Sequence, residues 1–321
     1  MSEGHMDTQQ RWAVLATFRT QARCTNWRGW EQAMEESFHG RWKDWDLRDG
    51  TWPIAIEDQI LDFNPTHILI LLADGLELNL GRLKCKGAKL IYFFADYWDT
   101  FENLNTTLTH HLDFMFLTNK DQIPKYQELL RIQEVHYVPM ACYRHDGDFN
   151  KNPGATYDII FVGNIYGNSG DNGIHGRRSD WWHQMKRIYG NRMSNINEPQ
   201  YPARSIIYDL LPTIYSNSKY SLNMDAYKPA MRGYTSNRIW AILNFRGLCV
   251  TAEFNGMREL GLYDGENCIV FDSPAEFDEK IRFYDQRPEL RDLIREKGYD
   301  LGRTKHTHQQ RLEKMQEIMS R

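Results

Sequence analysis

Long apolar runs are missing from this 321-residue chain, and with them any segment of membrane-spanning length. The longest apolar stretches, residues 68–73 and 90–95, have the length of buried strands. Cysteine is sparse. The five residues at 24, 85, 142, 249 and 268 are odd in number and never spaced CxxC, which argues against a disulfide framework and a zinc site and fits a reducing compartment. Excess positive charge is also missing. A formal net charge of −4 counts against a strongly basic nucleic-acid binder, although it leaves room for a local basic patch. The opening residues, MSEGHMDTQQRW, are polar and acidic with no apolar core of the signal-peptide kind, so a cytoplasmic location is expected. Internal repeats, heptads and low-complexity tracts are lacking, as are a GxGxxG motif and a Walker loop.

What is present is enough for a packed core: 41% hydrophobic against 26% charged residues. Five apolar runs precede residue 145: 12–17 (WAVLAT), 67–73 (HILILLA), 89–95 (KLIYFFA), 112–117 (LDFMFL) and 135–139 (VHYVP). Short, continuous hydrophobicity of this kind suits parallel strands buried on both faces. Helical patterns at 30–38, 54–63 and 123–132 alternate with them, which predicts a doubly wound α/β domain. Residues 144–156, RHDGDFNKNPGAT, read as a linker, and the pattern then restarts. Strands are expected at 157–162, 220–224, 248–251 and 268–271, and helices at 177–189, 205–215 and 238–245. The chain is therefore expected to hold two α/β domains, 1–145 and 146–305, with ligands at the carboxyl ends of the strands in the cleft between them.

Four groups of residues carry candidate chemistry. The first, residues 161–178 (FVGNIYGNSGDNGIHGRR), is a loop with five glycines between a strand and a helix, where backbone can approach a phosphate or sugar closely. Arg177 and Arg178 at its end either grip a diphosphate or form an exposed basic helix terminus. The second is Tyr234-Thr-Ser-Asn-Arg238. Ser236 and Asn237 read as N-caps. Arg238 sits poorly with the helix dipole, and either serves an anionic ligand or pairs structurally. The third, residues 251–259 (TAEFNGMRE), turns at Gly256 into a short helix. Its N–H groups suit a diphosphate and Glu253 or Glu259 suit sugar hydroxyls, or the acids are caps or surface groups. The fourth is a pair of strand-end acids, Asp74 and Asp96. Either is placed to take a proton from an acceptor hydroxyl, Asp96 preferred, or to cap a loop. His110 and His111 are lesser base candidates. Five of the ten tryptophans, Trp27, Trp30, Trp42, Trp45 and Trp52, crowd one stretch interleaved with arginines. They either pack a helix and loop or offer a stacking surface to a sugar or base. The i, i+2 spacing of His306 and His308 splays them on a helix, so no metal site is read there.

With these residues in view, the chain resembles GT-B-fold glycosyltransferases, and among them the spore-maturation-protein-like (CgeB-like) family. The resemblance covers roughly residues 157–315 and rests on the order and spacing of DIIFVGN, YSLNM, SNRIWAILNFRGLCVT, NGMRELGL, GENCIVF, SPAEFDEKIRFY, ELRDLIREKG and HTHQQR. It implies two Rossmann-like domains facing a cleft, with a nucleoside diphosphate sugar, most readily a UDP-sugar, in the C-terminal one. It implies no obligatory metal, magnesium being admissible. Gly163 and Asn164 would lie beside the donor, Asn223, Ser236 and Arg238 would line the nucleotide and diphosphate pocket, and Asn255, Gly256 and Glu259 would approach the phosphates and sugar. The N-terminal domain would hold the acceptor, with Trp27, Trp30 and Trp98 as contacts. That acceptor is a glycan, protein, metabolite or hydroxymethylated DNA base. Residues 306–321, with Leu312, Met315 and Met319 on one stripe, would pack back on the first domain. The chain departs from the family at Trp240, where an acid two residues after the arginine is usual. The nucleotide would then be held by another group or by stacking. A non-catalytic nucleotide- or glycan-binding module and a nucleotide-sugar epimerase are the competing functions.

Overall fold

The computed structural model describes residues 10–16, 25–46, 53–71, 78–84, 86–94, 111–132, 134–149, 156–165, 176–196, 204–225 and 231–321. Six parallel strands form the first sheet: β1 (Trp12–Ala16), β2 (Trp42–Asp46), β3 (His67–Leu71), β4 (Lys89–Phe94), β5 (Phe114–Leu117) and β6 (Val135–Tyr137). Their order is β2-β1-β3-β4-β5-β6. β1 and β3 are buried along their whole length, as continuous apolar runs covered on both faces should be. Helices α1 (Thr25–Phe38), α2 (Pro53–Phe63), α3 (Leu80–Lys84) and α4 (Ile123–Leu130) connect them.

The second sheet is also parallel. It contains β7 (Ile159–Val162), β8 (Met193–Ile196), β9 (Tyr220–Asn223), β10 (Cys249–Ala252) and β11 (Ile269–Phe271), in the order β11-β10-β9-β7-β8. Around it lie α5 (Gly176–Tyr189), α6 (Arg204–Ser216), α7 (Asn237–Asn244), α8 (Pro274–Asp285) and α9 (Pro288–Lys305), and the chain closes with α10 (His308–Met319). The two doubly wound sheets match the α/β architecture expected from the alternation of apolar runs. Two strands lacked a sequence signal. β2 (WKDWD) and β8 (MSNI) are both edge strands with partly exposed residues, so neither needs a continuous apolar run.

One core cluster joins both halves. It contains Val14, Trp30 and Phe93 from the first, Ile160, Trp240 and Leu243 from the second, and Leu312 and Met315 from α10. Trp27 and Trp30, expected as acceptor contacts, lie within this core. Trp27 is 4% exposed and Trp30 1%. The Trp30 ring is used up inside the core, edge-on to Phe93 and to His308 at 5.1 Å each. Burying these large rings beneath α10 gains far more than exposing them would, because each carries roughly 150–250 Å² of mostly apolar surface. Trp98, with Asp74 and Asp96, lies outside the described residues. Among the described residues no helix is long and apolar enough to cross a membrane.

The junction between α9 and α10 fastens the two halves together. Cys142 N–H donates to His306 O at 3.2 Å, and His308 N–H donates to Cys142 O at 3.3 Å. Arg311 is buried beside them. Its guanidinium donates to Pro139 O (2.8 Å), Met140 O (2.8 Å), Lys305 O (2.9 Å) and His306 Nδ1 (2.7 Å). Every acceptor is neutral, and burial pushes the Arg311 pKa down to about 10. A glycine permits this closeness on α1: a Cβ on Gly29 would sit inside the His308 ring. Gly29→Ala is therefore expected to destabilise the protein by roughly 1–3 kcal/mol or more, the usual cost of overpacking a core. A thermal melt checks it, and an unchanged Tm would show that α10 does not need this contact.

Candidate functional site

Strand order points to the place where a ligand belongs. From β7 the chain moves outward to β8, then returns to the other side of β7 at β9 and continues to β10 and β11. The connections after β7 and β9 therefore diverge, and a crevice opens at their carboxyl ends. Arg238, in the first turn of α7, lies across it. Its Nε donates to Val162 O at 2.7 Å, and its Nη1 lies 3.3–3.4 Å from Asn223 Oδ1, Met224 O and Ser236 Oγ. The guanidinium also sits 4.5 Å above the Phe161 ring. All of these acceptors are neutral, and among the described residues no carboxylate forms an ion pair with Arg238.

Gly163 makes room for this guanidinium. Its φ is +139°, and a Cβ there would stand 2.6 Å from Arg238 Nη2. Both conformation and space therefore require glycine where β7 ends. Asn195 Nδ2 holds the same turn by donating to Phe161 O and Gly163 O at 3.0 Å each.

Several expected donor contacts prove to be supports behind this surface. Arg178 is 7% exposed, and its Nη1 donates to Asn164 O at 2.8 Å, so it braces the strand exit. The Arg177 side chain lies outside the described residues. Asn223 is fully buried, donating through Nδ2 to Thr251 Oγ1 at 3.0 Å while its Oδ1 faces Ser236 and Arg238. Ser236 occupies the N-cap position of α7 with extended backbone (φ −66°, ψ 156°), but its hydroxyl caps nothing. Asp225 performs the task. Its carboxylate accepts from Ser236 N–H at 3.0 Å and from Thr235 Oγ1 at 2.8 Å. Asp225 was missed in the sequence, although it directly follows the β9 run, as Asp74 and Asp96 follow theirs.

The second anion-binding helix expected near Gly256 is a four-residue 3-10 turn, Met257–Leu260, so it offers far fewer aligned N–H groups than an α-helix. Gly256 has φ +86°, and a Cβ there would meet Gly233 N at 2.8 Å. Glu259, expected near the donor sugar, is paired with both Lys120 and Arg232, and the Lys120 bond, then the Arg232 bond, hold its carboxyl below the usual range. Beside this turn a cleft of about 500 Å³ is lined by Glu253, Asn255, Arg258, Glu259 and Tyr263, among others. Trp240 does not reach the cleft. It is fully buried and stacked on His306 at 3.7 Å with rings 8° apart, which removes it as a stacking platform for a nucleobase.

Known proteins reinforce this geometry. No curated protein matches the chain by sequence. Solved structures do match by shape over nearly its whole length. An α-glucosyltransferase in complex with UDP and a 13-mer DNA containing an HMU base superposes with TM-score 0.65 at 10% identity, covering 97% of this chain and 100% of that one. Anabaena HepE in complex with UDP-glucose gives TM-score 0.61 at 10% identity, covering 96% and 99%. A glycosyltransferase from Rickettsia africae gives 0.59 at 10% identity, covering 97% and 98%. Residues 164–317 match the model of a family described as glycosyl transferase-like. The chain thus has the GT-B fold, and its C-terminal half carries the sequence pattern of the glycosyl transferase-like family.

Proposed function

We propose that the protein transfers a sugar from a nucleoside diphosphate sugar, with UDP as the leaving group, to an acceptor hydroxyl. The observation that carries this reading is Arg238: a guanidinium that no carboxylate among the described residues pairs with, held by neutral acceptors at the switch point of the C-terminal sheet. A cation kept un-neutralised in a crevice is suited to the charge that grows on a departing diphosphate. The base that takes the acceptor proton is assigned to Asp96 or Asp74, the acids that follow the apolar runs 89–95 and 67–73 in sequence. The solved UDP and UDP-glucose complexes of the same fold favour uracil as the base of the donor. The acceptor panel includes glycans, proteins and metabolites. It also includes DNA with a hydroxymethylated base, since an α-glucosyltransferase of this fold was solved with such DNA.

The test is a thermal-shift panel of UDP, GDP, dTDP, ADP and CMP. A ligand at 100 times its Kd stabilises by about 2.7 kcal/mol, which raises the melting temperature by several degrees. UDP is expected to give that rise and the others not. A rise with a different nucleotide reassigns the base of the donor. No rise with any of them removes the transferase reading in favour of a binding module without nucleotide.

A further inference from the structure

Residues 231–236, which lead into α7 and Arg238, run between the two domains and are gripped from both. From the N-terminal domain, Tyr137 Oη donates to Gly233 O at 2.7 Å, Lys120 N–H donates to Arg232 O at 3.1 Å, and Asp121 Oδ2 accepts from Arg232 N–H at 2.9 Å. From the C-terminal domain, Asn255 O accepts from Gly233 N–H at 2.9 Å, and Asp225 holds Thr235 and Ser236. Lys120 and Arg232 meet on the carboxylate of Glu259, and the Lys120 ammonium lies 4.7 Å over the Tyr137 ring. Space is tight at the crossing. Gly233 has φ +79°, and a Cβ on it would stand 2.7 Å from Tyr137 Oη. Burial pushes the Tyr137 phenol well above its ordinary pKa, so it remains a donor at neutral pH.

We propose that Tyr137 is a positioning residue for the donor diphosphate: through its bond to Gly233 it fixes residues 231–236, and through them Arg238, so that the anion site is complete only while the N-terminal domain is docked. The two rigid grips explain how. Ser236 is tied by its backbone to Asp225 and faces Arg238 Nη1 with its hydroxyl. The Gly233 end is tied to Tyr137. The two residues between those ties, Tyr234 and Thr235, leave little freedom to shift without moving the guanidinium. The inference rests on the assignment of Arg238 to the diphosphate, and a double-mutant cycle separates the two.

UDP affinity is measured on the full chain by ligand-detected NMR titration for the wild type, Tyr137→Phe, Arg238→Ala and the double variant. Tyr137→Phe keeps the ring and is expected to weaken UDP binding about two- to tenfold, the effect of one neutral hydrogen bond. In the Arg238→Ala background the same change is expected to do nothing, because its path to the ligand is gone. Wild-type affinity in Tyr137→Phe, or equal effects in both backgrounds, overturns the proposal. An unchanged affinity in Arg238→Ala, or no UDP binding by the wild type, overturns instead the reading on which it rests. Asp121→Ala provides a second probe at the surface end of the segment, should Tyr137→Phe lower the melting temperature. It is expected to show the same dependence on Arg238, and an Arg238-independent loss counts against the proposal.

Discussion

Arg238→Ala is expected to cost roughly 10- to 100-fold in UDP affinity, the equivalent of the 1.5–3 kcal/mol typical of a charge-assisted contact. Turnover is expected to fall further, by about 10²–10³-fold, because the charge on the leaving diphosphate is greatest in the transition state. The fold should survive. Arg238 is only part-buried, and the Val162 and Met224 carbonyls it leaves lie at strand ends facing the crevice, where water can replace it. Arg238→Lys restores the charge without the fork that reaches Val162 O and Asn223 Oδ1 together, and is expected to fall between. Calorimetric titration with UDP and a melting curve for each variant decide the matter. Wild-type affinity in a folded Arg238→Ala protein would remove Arg238 from the site.

Much of this arrangement was legible in the sequence because it depends on local patterns. Continuous apolar runs report strands covered on both faces, and β1, β3, β4, β7, β9 and β10 are of that kind. Arg238 stood out as a cation at the wrong end of a helix. The structure places it there by the carbonyl at the end of β7, which its Nε reaches at 2.7 Å. What could not be read were roles set by distant partners. A tryptophan-rich stretch looks the same whether it faces a ligand or α10. The partners of Trp30 are Phe93 and His308, 63 and 278 residues away in sequence. Arg178 beside Arg177 reads as a basic pair, and only packing turns it inward onto Asn164 O. Tyr137, which ends a short edge strand, carries no local mark of function, and its bond to Gly233 spans 96 residues.

Acidification from pH 7 to pH 5 is expected to remove roughly 2 kcal/mol of stability through His308 at the α9–α10 junction, about 1 kcal/mol or slightly more per pH unit below its unfolded pKa, with His306 beside it acting in the same direction. Burial lowers the His306 pKa well below the ordinary value and holds that of His308 at about 3. The hydrogen bonds show why neither ring accepts a second proton. His306 Nε2–H donates to Leu260 O at 2.9 Å, and its Nδ1 accepts from the Arg311 guanidinium at 2.7 Å, so a proton there would face a cation. His308 Nε2–H donates to Asn26 Oδ1 at 2.7 Å, and its buried Nδ1 has no hydrogen-bond partner beside Gly29. The tautomers follow from these bonds. Both histidines titrate near 6.5 once unfolded. Above that value neither state binds the extra protons and stability is full, whereas below it the unfolded chain gains protons that the folded one refuses. Stability is therefore lost as pH falls from about 6.5 towards 3. Glu259, Glu317 and Asp278 have carboxyls held below their ordinary values, so their loss of charge falls lower in pH and leaves the window from 7 to 5 to histidines, among them His145, whose pKa burial also lowers. Urea midpoints at pH 7, 6 and 5 measure the slope. His308→Gln is expected to be less stable at pH 7 but to lose less on acidification. An equal loss in both proteins would assign the acid sensitivity elsewhere.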